Sequence, residues 1–410
     1  MFMKILHKFK ALPLEQKSES FARVYKPITQ IDMPELKARG NRPLQMGLEE
    51  MLKALLYFHL MGLESGRELV QKLGEDVFAQ QLIAPEKGIE KSSFFEAINS
   101  RGLSQLQTIF AQVSQQATAG LATEYSELGQ LVAVDGSLID ATLSMIWADY
   151  RQRDKKAKIH LGFDLNRGIP RQLVCTDGKA DEKDYVTSLV DNGQTAVIDR
   201  FYHCHEAFDL WQATGRHFVC RIKANTIKTV LWANPLQDGS IVFYDAIVYL
   251  GCKYGKQTEI PVRVVGYRIG GSVYWVATDR FDLTGEQIAF IYKLRWDIES
   301  FFAWWKQYLN VYPLIVRSPY GFAVQILSGL ITFILLSLYS MKYCGQPLCL
   351  SLLRSLRCSF YNDFCFALAL LFVKELLLLS LNSDSFYYTH AKIDRFRRKM
   401  KTSVINKLSC

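Results

Sequence analysis

Tyr292, Arg295, Glu299 and Lys306 follow one another at steps of three, four and seven residues in Tyr292-Lys-Leu-Arg-Trp-Asp-Ile-Glu-Ser-Phe-Phe-Ala-Trp-Trp-Lys306. At about 100° of rotation per residue, a helix gathers these four side chains within an arc of roughly 60°. Ile291, Leu294, Ile298, Phe301, Phe302 and Trp305 occupy the remaining surface and give the helix a core to sit on. One face then carries a phenol, a guanidinium, a carboxylate and an ammonium. Cations and a phenol suit phosphate oxygens, whereas a carboxylate repels a polyanion but can hold a divalent metal beside it. The row predicts phosphodiester chemistry. The alternative is a solvated face with an ordinary Arg295–Glu299 i,i+4 pair.

Two-metal phosphoryl transfer uses about three acids, so the choice turns on carboxylates upstream. Leu131-Val-Ala-Val-Asp135-Gly-Ser and Thr195-Ala-Val-Ile-Asp199-Arg-Phe-Tyr are short apolar, β-branched runs that each close on an aspartate. A carboxylate delivered by a buried strand is costly unless paired or bound to metal. Between them lie two strands, Lys158–Leu165 and Ile169–Thr176, joined through Asn166-Arg-Gly168 as a hairpin. A short helix around Asp184 to Val190, the Asp199 strand, a helix from about His203 to Thr214 and the strand His217–Lys223 follow. The predicted order is three strands, helix, strand, helix, strand.

In this order of elements the chain resembles the DDE transposases, whose catalytic domain has a ribonuclease-H-like mixed sheet. Tyr292, Arg295, Glu299 and Lys306 match the Tyr-Arg-Glu-Lys signature of one bacterial insertion-sequence branch at every position. That signature is highly specific; Asp199-Arg200 is moderately so, and Asp135-Gly-Ser alone would be weak. The resemblance spans roughly Glu124 to Val316. It implies that Asp135, Asp199 and Glu299 are the catalytic acids and hold two Mg²⁺ ions, with Mn²⁺ as a substitute. It also implies that Tyr292, Arg295 and Lys306 grip phosphates at the transposon end. Arg221 and Lys223 leave the strand beside Asp199; the resemblance gives them DNA contact, and plain surface charge is the other reading.

The interval from Asp199 to Glu299 is longer than one strand and one helix need, so something is inserted. Ile241–Leu250, Glu259–Arg268 and Ser272–Thr278 alternate in strand fashion, with turns at Asp238-Gly239, Tyr254-Gly255 and Gly270-Gly271. A β-rich insertion over 226–278 looks like the insertion domain of the same branch, where an aromatic ring stacks on a flipped base during hairpin formation. Tyr274 and Trp275 are neighbours on the last inserted strand and face opposite ways, so one stacks and the other packs. Trp296 adds a third ring near the row.

Length and charge agree with this reading. A chain of 410 residues exceeds one ordinary core, and a net charge of +9 favours a polyanionic partner. Nine cysteines without a Cys-x-x-Cys pair suggest reduced thiols in a cytosolic protein, and the resemblance implies the bacterial cytoplasm in association with the nucleoid. Met1–Lys10 lacks the apolar core of a signal peptide. Helical periodicity marks Leu48–Met61, Ser65–Leu73, Ser92–Asn99 and Leu103–Thr123, separated by Gly40, Pro43, Gly74 and Pro85. These define a helical N-terminal domain over 1–125, read as DNA-binding, with a bundle packed on the catalytic domain or a dimer contact as the other reading. The catalytic domain is expected in two parts, 126–225 and 279–345, and 346–410 as a helical C-terminal region.

Pro319–Met341 carries no charge and by length alone would span a membrane. Its Gln325 and serines favour a buried helix under the sheet. The apolar run Phe364–Val373 continues past Lys374-Glu375 to Leu381 and suits a core or dimer helix, while the basic tail Lys392–Lys407 is either a phosphate contact or a solvated segment. His203 and His205, two apart on a helix, would point away from each other and not share a zinc ion. His160 belongs to a strand rather than a triad. The function expected is metal-dependent DNA cleavage and strand transfer at terminal inverted repeats, by a homodimer acting cut-and-paste through hairpin ends into target DNA. A ribonuclease-H-like nuclease without strand transfer and a catalytically inactive DNA-binding derivative are the alternatives.

Overall fold

Helical periodicity in the first third of the chain becomes six helices in the computed structural model, which describes residues 14–36, 44–150, 154–252 and 256–360. They are α1 (Leu14–Tyr25), α2 (Leu48–Met61), α3 (Gly66–Glu75), α4 (Val77–Leu82), α5 (Lys91–Ser100) and α6 (Leu103–Gly120). Local chemistry sets their ends: Gly62, at φ 64°, closes α2, and Ser65 Oγ accepts the Glu68 N–H to open α3. α5 starts one residue before the expected Ser92 and uses Glu90 as its N-cap, without a side-chain bond. Gly40, Pro43, Tyr254-Gly255, the run Phe364–Leu381 and the tail Lys392–Lys407 lie outside the described residues.

The apolar run opening at Leu131 forms β1 (Leu131–Asp140), antiparallel to β2 (Lys156–Asp164), which turns through Gly168 at φ 67° into β3 (Ile169–Asp177). After α7 (Val186–Leu189), β4 (Thr195–Ile198) lies parallel to β1. Beyond α8 (His205–Ala213), β5 (His217–Arg221) lies parallel to β4. The order β3-β2-β1-β4-β5 is the ribonuclease-H-like arrangement expected.

The inserted segment does not stand apart as a layer of its own. β6 (Lys228–Ala233), β7 (Val242–Leu250), β8 (Val262–Ile269) and β9 (Ser272–Thr278) form an antiparallel meander. Val219, Cys220 and Arg221 of β5 pair with Thr278, Ala277 and Val276 of β9, so all nine strands make one sheet. β6 escaped the sequence pattern because five of its six residues are exposed, which removes the alternation that betrays a half-buried strand.

Strand alternation divides the side chains between two cores. Leu131, Ala133, Val197, Val219, Val265 and Val276 face α9 (Gly285–Leu294), α10 (Trp296–Tyr308) and α11 (Pro319–Tyr339). Val132, Val134, Ala196, Ile198, Phe218 and Cys220 face the other way, toward Phe208 and Trp211 of α8. α11 packs on α1, α2, α5, α6 and β3, and the window that would qualify it as a membrane span is 89% buried. Its polar groups are satisfied inside the protein. Gln325 donates to Pro313 O at 3.0 Å and accepts from Ile315 N at 3.0 Å, and Thr332 donates to Ser328 O at 2.7 Å. The first six helices therefore share one apolar core with α11 and one face of the sheet. α12 (Leu350–Phe360) completes the described chain.

Candidate active site

Leu131, Val132 and Ala133 of β1 pair with Thr195, Ala196 and Val197 of β4. Two residues further along each chain come Asp135 and Asp199, at equivalent steps and on the pleat face of Ala133 and Val197, against which α9 and α10 pack. Asp135 Oδ1 accepts from Gly136 N at 2.9 Å. Burial, followed by the negative charge of Glu182, pushes the Asp135 carboxyl up to about 7; Glu299 adds to the rise, while the Gly136 N–H and Arg295 oppose it.

The row does not lie on one straight helix. Arg295, at φ −53° and ψ −30°, separates α9 from α10, and its N–H bonds Tyr292 O three residues back at 3.2 Å, a tight turn in place of the regular α pattern. Nor is the row a solvated face. Tyr292 is 2% exposed and Arg295 6%. Tyr292 Oη donates to Asp199 Oδ1 at 3.2 Å, and burial pushes its phenol pKa up. Arg295 Nη1 pairs with Glu299 Oε1 at 2.8 Å, the i,i+4 contact read from sequence, and both groups act electrostatically on Asp135. Burial works against the guanidinium's charge, and Tyr292, Glu299 and Asp199 outweigh it. Lys306 Nζ donates to Ser137 Oγ, and to Leu138 O at 3.0 Å, so it is bound to the strand that carries Asp135 rather than free. Burial lowers its pKa.

The aromatic candidates separate. Tyr274 shares the face of Val276: its ring stacks on Tyr267 at 5.3 Å, lies 6.5 Å from Tyr292 and carries the Arg221 guanidinium at 5.0 Å. Trp275 points to the opposite face, between Phe243, Tyr244 and the Lys228 ammonium, which stands 4.4 Å from its ring. Trp296 is 57% exposed at the turn between α9 and α10, with the Arg295 guanidinium 5.4 Å from its ring. Lys223 is exposed just past the end of β5.

His203 precedes α8 instead of lying on it, so the His203 and His205 rings do not diverge; their centroids are 5.1 Å apart. His160 sits on β2, bonded to Thr176 Oγ1 at 2.9 Å and stacked on Tyr185 at 4.3 Å. Sequence reasoning missed Glu182, which bonds Tyr202 Oη at 3.0 Å and Lys158 Nζ at 3.3 Å. The one signal for it was Gly136, a glycine inside a strand, where a Cβ would come within 2.5 Å of the Glu182 carboxyl carbon. Among the described residues no three His, Cys, Asp or Glu side chains are gathered closely enough to hold a metal as they stand. Arg295 and Tyr292 occupy an oxygen of Glu299 and of Asp199 respectively.

The sheet carries an aspartate at the same step of two adjacent parallel strands, and Glu299 on α10 acts electrostatically on the first of them. The model of the family described as Transposase DDE domain matches residues 127–335, half of the chain, and the protein belongs to that family. It is similar to a protein from Geobacillus stearothermophilus named as a transposase for insertion sequence element IS5377, 30% identical over 192 residues, 46% of this chain and 51% of that protein. A protein from Sinorhizobium fredii named as a transposase is 28% identical over 199 residues, 46% of this chain and 55% of its own length. The chain thus spans about half the length of these curated relatives. Over 92% of this chain and 82% of the other, it also has a loose likeness to the piggyBac transposase in a synaptic complex with hairpin DNA, at 10% identity and a TM-score of 0.41, too loose to carry an argument.

Proposed function

We propose that this protein is a DNA transposase of the Tyr-Arg-Glu-Lys insertion-sequence branch, which binds the terminal inverted repeats of its element as a homodimer and cleaves and rejoins strands there. The observation that supports this most is the common step of Asp135 and Asp199 on parallel strands, with Glu299 electrostatically coupled to Asp135 from α10. The residues suit a hard divalent cation. All the donors are carboxylate oxygens, and the burial and like-charge crowding that raise the Asp135 carboxyl are what a bound cation relieves. Asp135, Asp199 and Glu299 would hold Mg²⁺, or Mn²⁺ in its place, in two ions. Bound there, the metal supplies activation of water, and then of the freed 3′-hydroxyl, for in-line attack on phosphorus.

The chain's own groups do the positioning. Tyr292 orients Asp199 through its hydroxyl, and Arg295 holds Glu299 while keeping a desolvated positive charge beside the scissile phosphate. Lys306 ties α10 to the end of β1 and, with Arg221 and Lys223, adds cations along the DNA path. Tyr274, on the face of Tyr292, is the ring that stacks on a flipped base when each end closes as a hairpin, and Trp275 is the one that packs. The helical 1–125 region is read as helping to hold end DNA in the bacterial cytoplasm.

The test is incubation with Mg²⁺ and DNA carrying the repeats that flank the protein's gene. Asp135→Ala, Asp199→Ala and Glu299→Ala each abolish cleavage while leaving binding of end DNA largely intact. A variant that cuts at near the parental rate removes its acid from the set. Cleavage by the parent without joining to target DNA would favour a ribonuclease-H-like nuclease instead.

A further inference from the structure

Glu182 opens the 3-10 turn Glu182–Tyr185 that leads into α7 and belongs to neither the row nor the pair of aspartates. Both of its oxygens are engaged. Oε2 accepts from Tyr202 Oη at 3.0 Å, and Oε1 lies 3.3 Å from Lys158 Nζ, with the glutamate side chain 18% exposed and the lysine 12%. The backbone of Gly136 runs so close that any Cβ there would meet the carboxyl group at 2.5 Å.

These neighbours come from different segments around the acids. Tyr202 closes the 3-10 turn Arg200–Tyr202 that begins directly after Asp199. Gly136 directly follows Asp135. Lys158 pairs with Leu138 farther along β1 and also donates to Ala180 O at 2.9 Å, just before the Glu182 turn. Meanwhile the pairing of β1 with β4 ends at Ala133 and Val197, two residues short of either aspartate. No β1–β4 ladder therefore sets the separation of Asp135 and Asp199, and parallel strands past their last pair are free to splay. We propose that Glu182 is a positioning residue that takes over where the ladder stops, bridging the chain after Asp199, through Tyr202, to the chain after Asp135, through Gly136 and Lys158, and so holding the two aspartates at one separation. The glycine is part of the device, since a Cβ there would push the carboxylate away from the strand. A ligand role for Glu182 is disfavoured because Lys158 and Tyr202 already take both oxygens.

The proposal rests on the reading of Asp135 and Asp199 as metal-holding acids, and the test separates the two. The probe is Mn²⁺ alone, added to the full chain without DNA, with bound metal measured from the loss of the free-ion paramagnetic resonance signal and with thermal melting of each variant. Parent protein binds Mn²⁺ and Asp135→Ala loses it. Glu182→Gln and Tyr202→Phe melt with the parent yet bind Mn²⁺ at least about tenfold more weakly, as loss of a group that orients a ligand does. The double variant is no weaker than the worse single one, because either change opens the same bridge. Should Glu182→Gln fail to fold, Tyr202→Phe, which removes one hydroxyl, carries the comparison. Parental Mn²⁺ affinity in the folded Glu182 and Tyr202 variants, with Asp135→Ala still defective, overturns the positioning role and leaves the acids in place. A parent that binds no Mn²⁺, or an Asp135→Ala variant that binds it fully, removes the reading of the acids and the positioning role with it.

Discussion

The two ends of the one sheet are built differently. In β1 to β5 the short strands β4 and β5 are buried on both faces, with α7 and α8 on one side and α9 to α11 on the other, and neither acid lies on an exposed edge. In β6 to β9 burial fades outward: β8 is buried over its first six residues, whereas β6 leaves Val230, Leu231 and Trp232 each at least half exposed. The acids of the proposed function lie in the first half, and the second ends in an exposed outer strand. The paired β5–β9 edges, α9 lying across β4, β5, β7, β8 and β9, and the two shared apolar cores join them.

Phe218→Ala probes the covered half. The ring is fully buried and stacks on Phe208 at 4.4 Å, so its loss should cost about 4 kcal/mol in denaturant unfolding. Next comes the seam. Arg263 donates to Asp245 from Nε at 2.8 Å and from Nη2 at 2.6 Å, both side chains 7% exposed, and its Nη1 reaches Arg280 O and Leu283 O just ahead of α9. Arg263→Met leaves Asp245 buried without its countercharge and should cost about 3 kcal/mol. If proteolysis then released the inserted strands while β1 to β5 stayed protected, the halves would be separable; a single cooperative loss would show that they are not.

The contrast is sharpest within β9. Tyr274→Ala should reduce hairpin product by an amount corresponding to about 2 kcal/mol while nicking persists, and Trp275→Ala should leave hairpin yield unchanged, as read on a denaturing gel. Equal loss in both variants would mean that the insertion acts as a scaffold only. Smallest is Trp232→Ala on the outer strand, where the exposed ring should shift stability by under about 0.5 kcal/mol; a larger change in the isolated protein would mean that β6 is covered in solution.

What was legible follows from the range of the interactions. The Asp135 and Asp199 strands were readable because each is an unbroken apolar run ending in an acid, and α2 matched residue for residue because helical periodicity is local. β5 pairing with β9 was not, since residues so far apart in sequence leave no local pattern, and three apolar alternating strands read equally well as a separate layer. The break at Arg295 is one local hydrogen bond, to Tyr292 O three residues back, that a row of side chains cannot report. Glu182 sits in Asp181-Glu-Lys-Asp184, which looks like any solvated turn; only its distance to Gly136 and Tyr202 singles it out.

α11 sets a problem of timing. With the turn that follows it, α11 makes a 26-residue stretch, Pro319–Cys344, with the hydropathy of a membrane span, and the ribosome releases it only after α1 to α6 have emerged. The surfaces that must enclose it are therefore made first and wait with their apolar sides uncovered until it arrives. A nascent chain in which α2 or α6 had failed to form would present a naked apolar helix to the targeting machinery and to lipid. Faithful early folding of those helices is then a condition for enclosing α11 in protein.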